Sequence, residues 1–243
     1  MILKKIFFLF KYNLAKILNF KKALKSYYGV YLIPYWSDNT FKYSYCGLYG
    51  DYLSNLLLNQ KNSFDFIDIG ANQGLYSLIA SKNNNNRKVF CIEPSERTIK
   101  ILRSNLTVNK INNVEIIPYA INNKEGKALL KNFNNHSGKS TLLESNKEFD
   151  NVEEIQSINH KSLEKMIISS NNIFVKIDVE GLEEIVINEI SKCNFFNNVN
   201  FIFYEVNENW INEKSIMKKL KDLGFLNFQK IGDKDHYDVI ASR

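Results

Sequence analysis

The stretch Phe64-Asp-Phe-Ile-Asp-Ile-Gly-Ala-Asn-Gln-Gly74-Leu-Tyr-Ser-Leu-Ile-Ala-Ser81 decides the fold. Its first six residues read as a buried strand ending at Ile69, and 75–81 reads as a helix. Between them runs Asp68-Ile-Gly-Ala-Asn-Gln-Gly74, a loop with glycine at positions 70 and 74. A nucleotide-like ligand needs the backbone to come close here, and glycine removes the Cβ that would block it. The following helix directs free N–H groups towards the same place. Asn72 stands where glycine is common, and asparagine tolerates a left-handed backbone better than most residues.

Outward from this loop, short apolar runs alternate with helical patterns. Strands are predicted at 88–92, 114–117, 128–133, 173–177 and 201–204. Helices are predicted from Pro94 onward, at 162–168 with Ser162 as cap, at 183–190, and at 213–223 closed by Gly224. Two last strands, 225–231 and 237–241, are joined by a Gly232-Asp233 turn. Alternating strands and helices imply right-handed βαβ units and a parallel sheet, here ending in an antiparallel hairpin. The segments 83–87 and 136–159 read as the least regular.

Four acids fall at the carboxyl ends of predicted strands: Asp68, Glu93, Asp178 and Glu205. Ligands of open α/β sheets bind beyond those ends. Glu93 closes the strand after the glycine loop, where an acidic residue clasps ribose hydroxyls and disfavours a 2′-phosphate. A dinucleotide fingerprint laid from Gly70 would need glycine at Asn72 and Leu75, so a nicotinamide dehydrogenase is disfavoured. Glu183 reads as a first-turn carboxylate favoured by the helix dipole. His160 and His236 read as structural.

The apolar fraction of 44% and aromatic fraction of 13% exclude a disordered chain. Net charge is +6, but Lys4, Lys5, Lys11, Lys16, Lys21, Lys22 and Lys25 carry the excess, and the remainder is close to neutral. Three cysteines, Cys46, Cys91 and Cys193, with no CxxC pair, fit a reducing cytoplasm and argue against a disulfide framework or zinc site. Ile2, Ile6, Phe10, Leu14, Ile17 and Leu18 recur at helical spacing. That predicts a helix which either packs on the domain or lies on the inner membrane surface. The apolar run is too short to span a bilayer, and no small-residue cleavage site follows. Residues 1–60 are therefore expected to form a helical extension serving substrate choice or membrane contact, and 61–243 the catalytic domain.

Asp68 to Gly74, the Glu93-Pro94 pair, His160-Lys-Ser-Leu163, Lys176-Ile-Asp-Val-Glu-Gly181 and Tyr204-Glu205 occur in the order seen in FkbM-type methyltransferases, which the chain resembles over about Phe64 to Glu205. One departure is Leu163-Glu164, where that family commonly has Leu-Asp. The resemblance implies a Rossmann-like class I methyltransferase fold with a mostly parallel seven-stranded sheet, and S-adenosyl-L-methionine as cofactor. It also implies O-methylation of a hydroxyl on a sugar, glycan or related small molecule; the alternatives are an RNA or protein methyltransferase on the same fold, or a cofactor-binding protein without catalysis. Asp68, Gly70, Asn72, Gly74, Glu93, Pro94, Ser95 and Ala120 form the expected cofactor set. A sugar hydroxyl needs a general base, for which Asp178 comes first, then Glu180 and His136. Asp178, Glu180 and Glu205 would suit Mg²⁺, but no spacing demands a metal and none is expected. No Asn-Pro-Pro-Tyr-like motif or RNA module is present, so no nucleic-acid partner is expected.

Overall fold

The computed structural model describes residues 2–143, 149–169, 172–232 and 234–243. The chain opens with α1 (Ile2–Ile17), a small ribbon of β1 (Leu24–Lys25) and β2 (Tyr31–Leu32), then α2 (Asn39–Cys46) and α3 (Asp51–Leu58). β3 (Phe64–Ile69) follows and is buried at every position, as a central strand covered on both faces must be. Next come α4 (Leu75–Ala80), β4 (Asn86–Ile92), α5 (Glu96–Val108), β5 (Val114–Ile117) and β6 (Ala120–Ile121). A hairpin of β7 (Gly126–Asn132) and β8 (Asn151–Ile158) precedes α6 (His160–Met166), β9 (Ile173–Ile177) and α7 (Glu183–Ile190). The chain closes with β10 (Val199–Asn207), α8 (Glu213–Asp222), β11 (Asn227–Ile231) and β12 (His236–Ser242).

The main sheet has seven strands in the order β11-β12-β10-β9-β3-β4-β5. β10, β9, β3, β4 and β5 pair in parallel. β12 pairs antiparallel with both β10 and β11. The single antiparallel strand thus lies inside the sheet, with β11 at the edge; the turn residue Asp233 lies outside the described residues. One apolar layer, with Ile67, Ile177, Val186 and Ile202, covers one face. The other layer joins Phe66, Leu78 and Leu102 to Tyr12, Phe41, Tyr45, Leu53 and Leu57 from the first sixty residues.

Several boundaries differ from the sequence reading. Asn159 caps α6, its side chain accepting from the Lys161 amide, so the helix starts ahead of Ser162. α5 starts at Glu96 and not at Pro94, with Ser95 as its cap, the side chain accepting from the Thr98 amide. β4 starts inside the stretch expected to be loop. The larger difference is β8, which lies in 136–159, expected to be irregular. It pairs antiparallel with β7 and parallel with β6, making a three-stranded flap over the carboxyl edge of the main sheet.

Candidate active site

The parallel strands end side by side, which gathers the loops after β3, β4 and β9 along one edge. In the loop after β3, Gly70 and Gly74 have φ of +74° and +84°, and Asn72 follows them into the left-handed region at +51°. The glycines are needed for contacts within the protein. A Cβ on Gly70 would meet the Asp178 carbonyl, and one on Gly74 would lie 2.2 Å from Leu102 Cδ1. The tight turn lets a lysine close the gap beneath it. Buried Lys176 donates to the Gly70 carbonyl at 2.7 Å and pairs with Asp68 Oδ1 at 3.4 Å and Asp178 Oδ2 at 3.3 Å. Burial opposes its charge, yet Asp178 and Asp68 hold the ammonium pKa above the ordinary lysine value.

Asp68 is fully buried under the loop. Ser77 Oγ donates to its Oδ2 at 2.6 Å, while Oδ1 has the ion pair but no hydrogen-bond donor. Glu93 accepts from the Asn72 amide at 2.9 Å on one oxygen and from the Ser95 amide at 3.0 Å on the other. Burial pushes its carboxyl up to about 7 against those two amides. Each carboxylate oxygen retains a lone pair. Glu93 can therefore still receive a vicinal diol. Ser95 stands behind it, its hydroxyl bonded to Glu153 of β8, which also accepts from the Glu96 amide. The cleft beside Glu93 is walled by Gly70, Asn72, Pro94, Ala120, Ile121 and Leu142, a narrow apolar slot beside a carboxylate. Such a lining would suit an adenosine, with Glu93 for the ribose diol and the apolar side chains for the base, while Asp178 and Glu180 of the same cleft would suit a cationic group.

Asp178, Glu180, Tyr49, Thr40 and Gly138 line both this cleft and a second, wider chamber. The chamber has a volume of about 690 Å³. Its wall includes Tyr43, Phe133, His136, Glu205, Trp210 and His236. One carboxylate oxygen from each of Asp178, Glu180 and Glu205 lies within 4.8 Å of the other two. Those oxygens are also the type of set a hard divalent cation takes. Burial, then Glu205 and Asp178, push the Glu180 carboxyl up to about 9. Burial and Asp178 raise Glu205 too, while His236 pulls it back through a 2.7 Å contact to its Oε1. That contact raises the His236 pKa. Asp238, opposite Glu205 across the strand pair, is pushed up to about 7 by burial and by Asp178. His136 lies on the flap side; burial and Lys139 lower its pKa, and its Nδ1 has no hydrogen-bond partner.

Bonds from residues 137–141 help to hold the flap down over the site. Ser137 Oγ donates to Asn72 Oδ1 at 2.9 Å, and the Ser137 amide donates to Asp38 Oδ1 at 3.2 Å. The Gly138 amide donates to Thr40 Oγ1 at 3.0 Å, and Thr141 Oγ1 donates to the Glu180 carbonyl at 2.8 Å. Asp38 also caps α2 through the Thr40 amide and accepts from Gln73 Nε2 at 3.0 Å. Glu183, buried, accepts from the Val179 and Gly181 amides and shapes the loop that carries Asp178 and Glu180.

Of the residues singled out in the sequence, Gly70, Asn72, Glu93, Pro94 and Ala120 line the cleft. Asp68 lies beneath it and Ser95 behind it. Asp178 and Glu180 face both cavities, and His136 only the chamber. Lys176, Asp38, Gln73 and His236 carry site contacts and were missed. Lys176 had a signal, since a lysine in an apolar strand demands a buried partner. Gln73 lies within the glycine loop already singled out, whereas Asp38 and His236 had no signal in their local sequence.

The profile of the Methyltransferase FkbM domain matches residues 68–226, which contain the loop, Glu93, Asp178 and Glu205. The chain belongs to the FkbM methyltransferase family. This methyltransferase takes S-adenosyl-L-methionine as its cofactor, and the cleft beside Glu93 fits that molecule. The fold resembles that of TrmK from M. capricolum, solved with S-adenosylhomocysteine, with a TM-score of 0.50 and 13% identity over 80% of this chain and 67% of that one. SMU.1697c from Streptococcus mutans, also in complex with SAH, gives a TM-score of 0.48 and 14% identity over 79% and 93%. Among curated proteins no relative matches. No helix of the described residues in this FkbM methyltransferase is long and apolar enough to cross a membrane.

Proposed function

We propose that the enzyme transfers the methyl group of S-adenosylmethionine to a hydroxyl of a sugar, glycan or related small molecule. The observation that supports this reading is the acidic, aromatic-walled chamber joined to the cofactor cleft at Asp178 and Glu180. Clustered carboxyl groups hydrogen-bond sugar hydroxyls, and the aromatic residues Trp210 and Tyr43 line the same chamber. The chain's basic excess lies in its first 25 residues, none of which lines the chamber. Displacement at a sulfonium requires alignment above all, and a wall shared by both cavities provides it. The acceptor proton passes to Asp178, which faces both cavities. Glu180 shares that wall and stands behind Asp178 as the second candidate for the base. His136 lies on the chamber wall and orients the acceptor.

The test is incubation with methyl-labelled S-adenosylmethionine and separate pools of nucleotide sugars, oligosaccharides, RNA and protein. Base-stable label in a sugar pool, abolished in Asp178→Asn, is expected. Label in RNA or protein alone would overturn the reading. Cofactor binding with no transfer to any pool would point to a binding protein.

A further inference from the structure

α1 rests on the domain by one face only. Tyr12 is buried against Trp36, Phe41 and Tyr45, and Phe8 packs edge-on against Tyr27 and Tyr45. The opposite face consists of Leu3, Ile6, Phe7, Phe10, Leu14 and Ile17, all exposed; Leu3, Phe10 and Ile17 are 82%, 65% and 81% accessible. At about 100° per residue these side chains span an arc of roughly 100°, as wide as the stripe an ordinary surface helix buries against its own core. Single exposed apolar residues such as Ile168 and Leu226 are common on proteins. A whole helix face is not, and it marks an interaction site.

Charge selects what covers it. Lys11 and then Lys4 follow one border of the arc, Lys16 lies further round from the other, and Lys5 stands beside Tyr12 on the docked side, with Lys21 and Lys22 just beyond the helix. No acidic residue occurs before Asp38. Lys5 pairs with Asp51, and Lys4 donates to the Tyr27 carbonyl. Among the described residues no acidic side chain pairs with Lys11, Lys16, Lys21 or Lys22. A second copy docking α1 on α1 would set lysines against lysines. An anionic lipid surface meets both features together, apolar side chains entering the acyl boundary and lysines meeting headgroups.

We infer that α1 is a membrane-surface anchor that lies in the interface of an anionic bilayer, with Tyr12 and Phe8 joining it to the catalytic domain. This goes beyond the proposed reaction and does not depend on it. With 16 residues the helix is too short to span a bilayer, so it lies flat. The anchor is coupled to the site through α2. Phe41 and Tyr45 of that helix support α1, while Thr40 and Tyr43 line the chamber. An anchored enzyme therefore holds its acceptor chamber one helix away from the bilayer.

The test is flotation of the full chain with vesicles of three parts phosphatidylcholine to one part phosphatidylglycerol, against vesicles of phosphatidylcholine alone. Binding to the anionic vesicles is expected, with little to the neutral ones and release by high salt. Phe10→Ser, checked by its melting temperature, should weaken binding at least about tenfold. Lys11→Gln and Lys16→Gln should each weaken it about fivefold. Failure of the parent to float with anionic vesicles would overturn the inference, as would a folded Phe10→Ser that floats equally well. Sedimentation velocity covers the other occupant. A dimer that Phe10→Ser converts to monomer, without vesicle binding, would assign the face to a second copy.

Discussion

A Cβ placed on Gly70 would lie 1.8 Å from the backbone carbonyl oxygen of Asp178. The loop that receives the cofactor and the loop that carries the proposed base therefore touch backbone to backbone. Lys176 locks the pair from below through the Gly70 carbonyl and the Asp178 carboxylate. Cofactor position and base position are one geometric quantity here.

Gly70→Ala tests that contact directly. The φ of +74° alone costs a β-carbon about 1–2 kcal/mol, and the overlap with a carbonyl adds a packing cost of about 1–3 kcal/mol. Urea unfolding should show a loss of that combined size. Calorimetry on the protein that remains folded should show weakened S-adenosylmethionine binding, because the loop must retreat from Asp178.

Glu93→Ala removes the group assigned to the ribose diol and leaves the Asn72 and Ser95 amides without their acceptor. Hydrogen bonds to a charged partner contribute about 1.5–3 kcal/mol each, so affinity for S-adenosylmethionine and S-adenosylhomocysteine should fall by about tenfold or more. NAD⁺ should not bind the parent. Titration of the three ligands checks each statement, and tight NAD⁺ binding would contradict the cofactor assignment.

The carboxyls around the shared wall give a pH signature. Burial and mutual repulsion raise Glu180 and Glu205 above the ordinary carboxylate range, and Asp238 rises to about 7. A folded pKa above the unfolded one means that the native state holds more protons. The cofactor-free protein must then lose stability as pH rises from the ordinary carboxylate range to about 9, the value for Glu180. A cationic ligand favours the ionised carboxylates, so its binding releases protons and tightens over the same window. Melting temperatures with and without S-adenosylmethionine should diverge as pH rises. The neutral sulfur of S-adenosylhomocysteine should give a smaller divergence.

Lys176→Met leaves Asp68 and Asp178 without their shared ammonium. Stranding a buried charge costs about 3–5 kcal/mol. Asp68 carries most of that cost, since it has no accessible surface and Asp178 is partly exposed. Adding Asp68→Asn should recover part of the stability lost by Lys176→Met. Denaturant midpoints of the parent, both single variants and the double variant measure the coupling.

The strand, loop and helix from Phe64 to Ser81 were legible because strand and helical periods and glycine chemistry coincide within 18 residues. The acids at strand ends were legible for a related reason, since each parallel strand carries its own carboxyl end to one edge. β8 was not. Its apolar residues Val152, Ile155 and Ile158 are three apart, which hides the two-residue alternation of a strand. His236 reads as one more polar residue near a turn, and only the pairing of β12 with β10 sets it opposite Asn207 and against Glu205. The cap of α6 shifted because Asn159 and Ser162 are both good cap residues, and the chain uses the earlier one. The free apolar face of α1 was visible as a helical repeat, but which side the domain covers depends on Phe41 and Tyr45 far along the chain.

Asp38 receives one bond from the α2 backbone, one from the cofactor loop and one from the flap. Three pieces distant in sequence thus share a single rivet. For anyone redesigning the enzyme, this divides the chamber wall into a frame and a palette. Asp38, Gln73, Asn72 and Ser137 form the frame and must stay together. Tyr43 and Phe133 line the chamber outside that frame, so acceptor preference can be searched by varying them while the cofactor half keeps its shape.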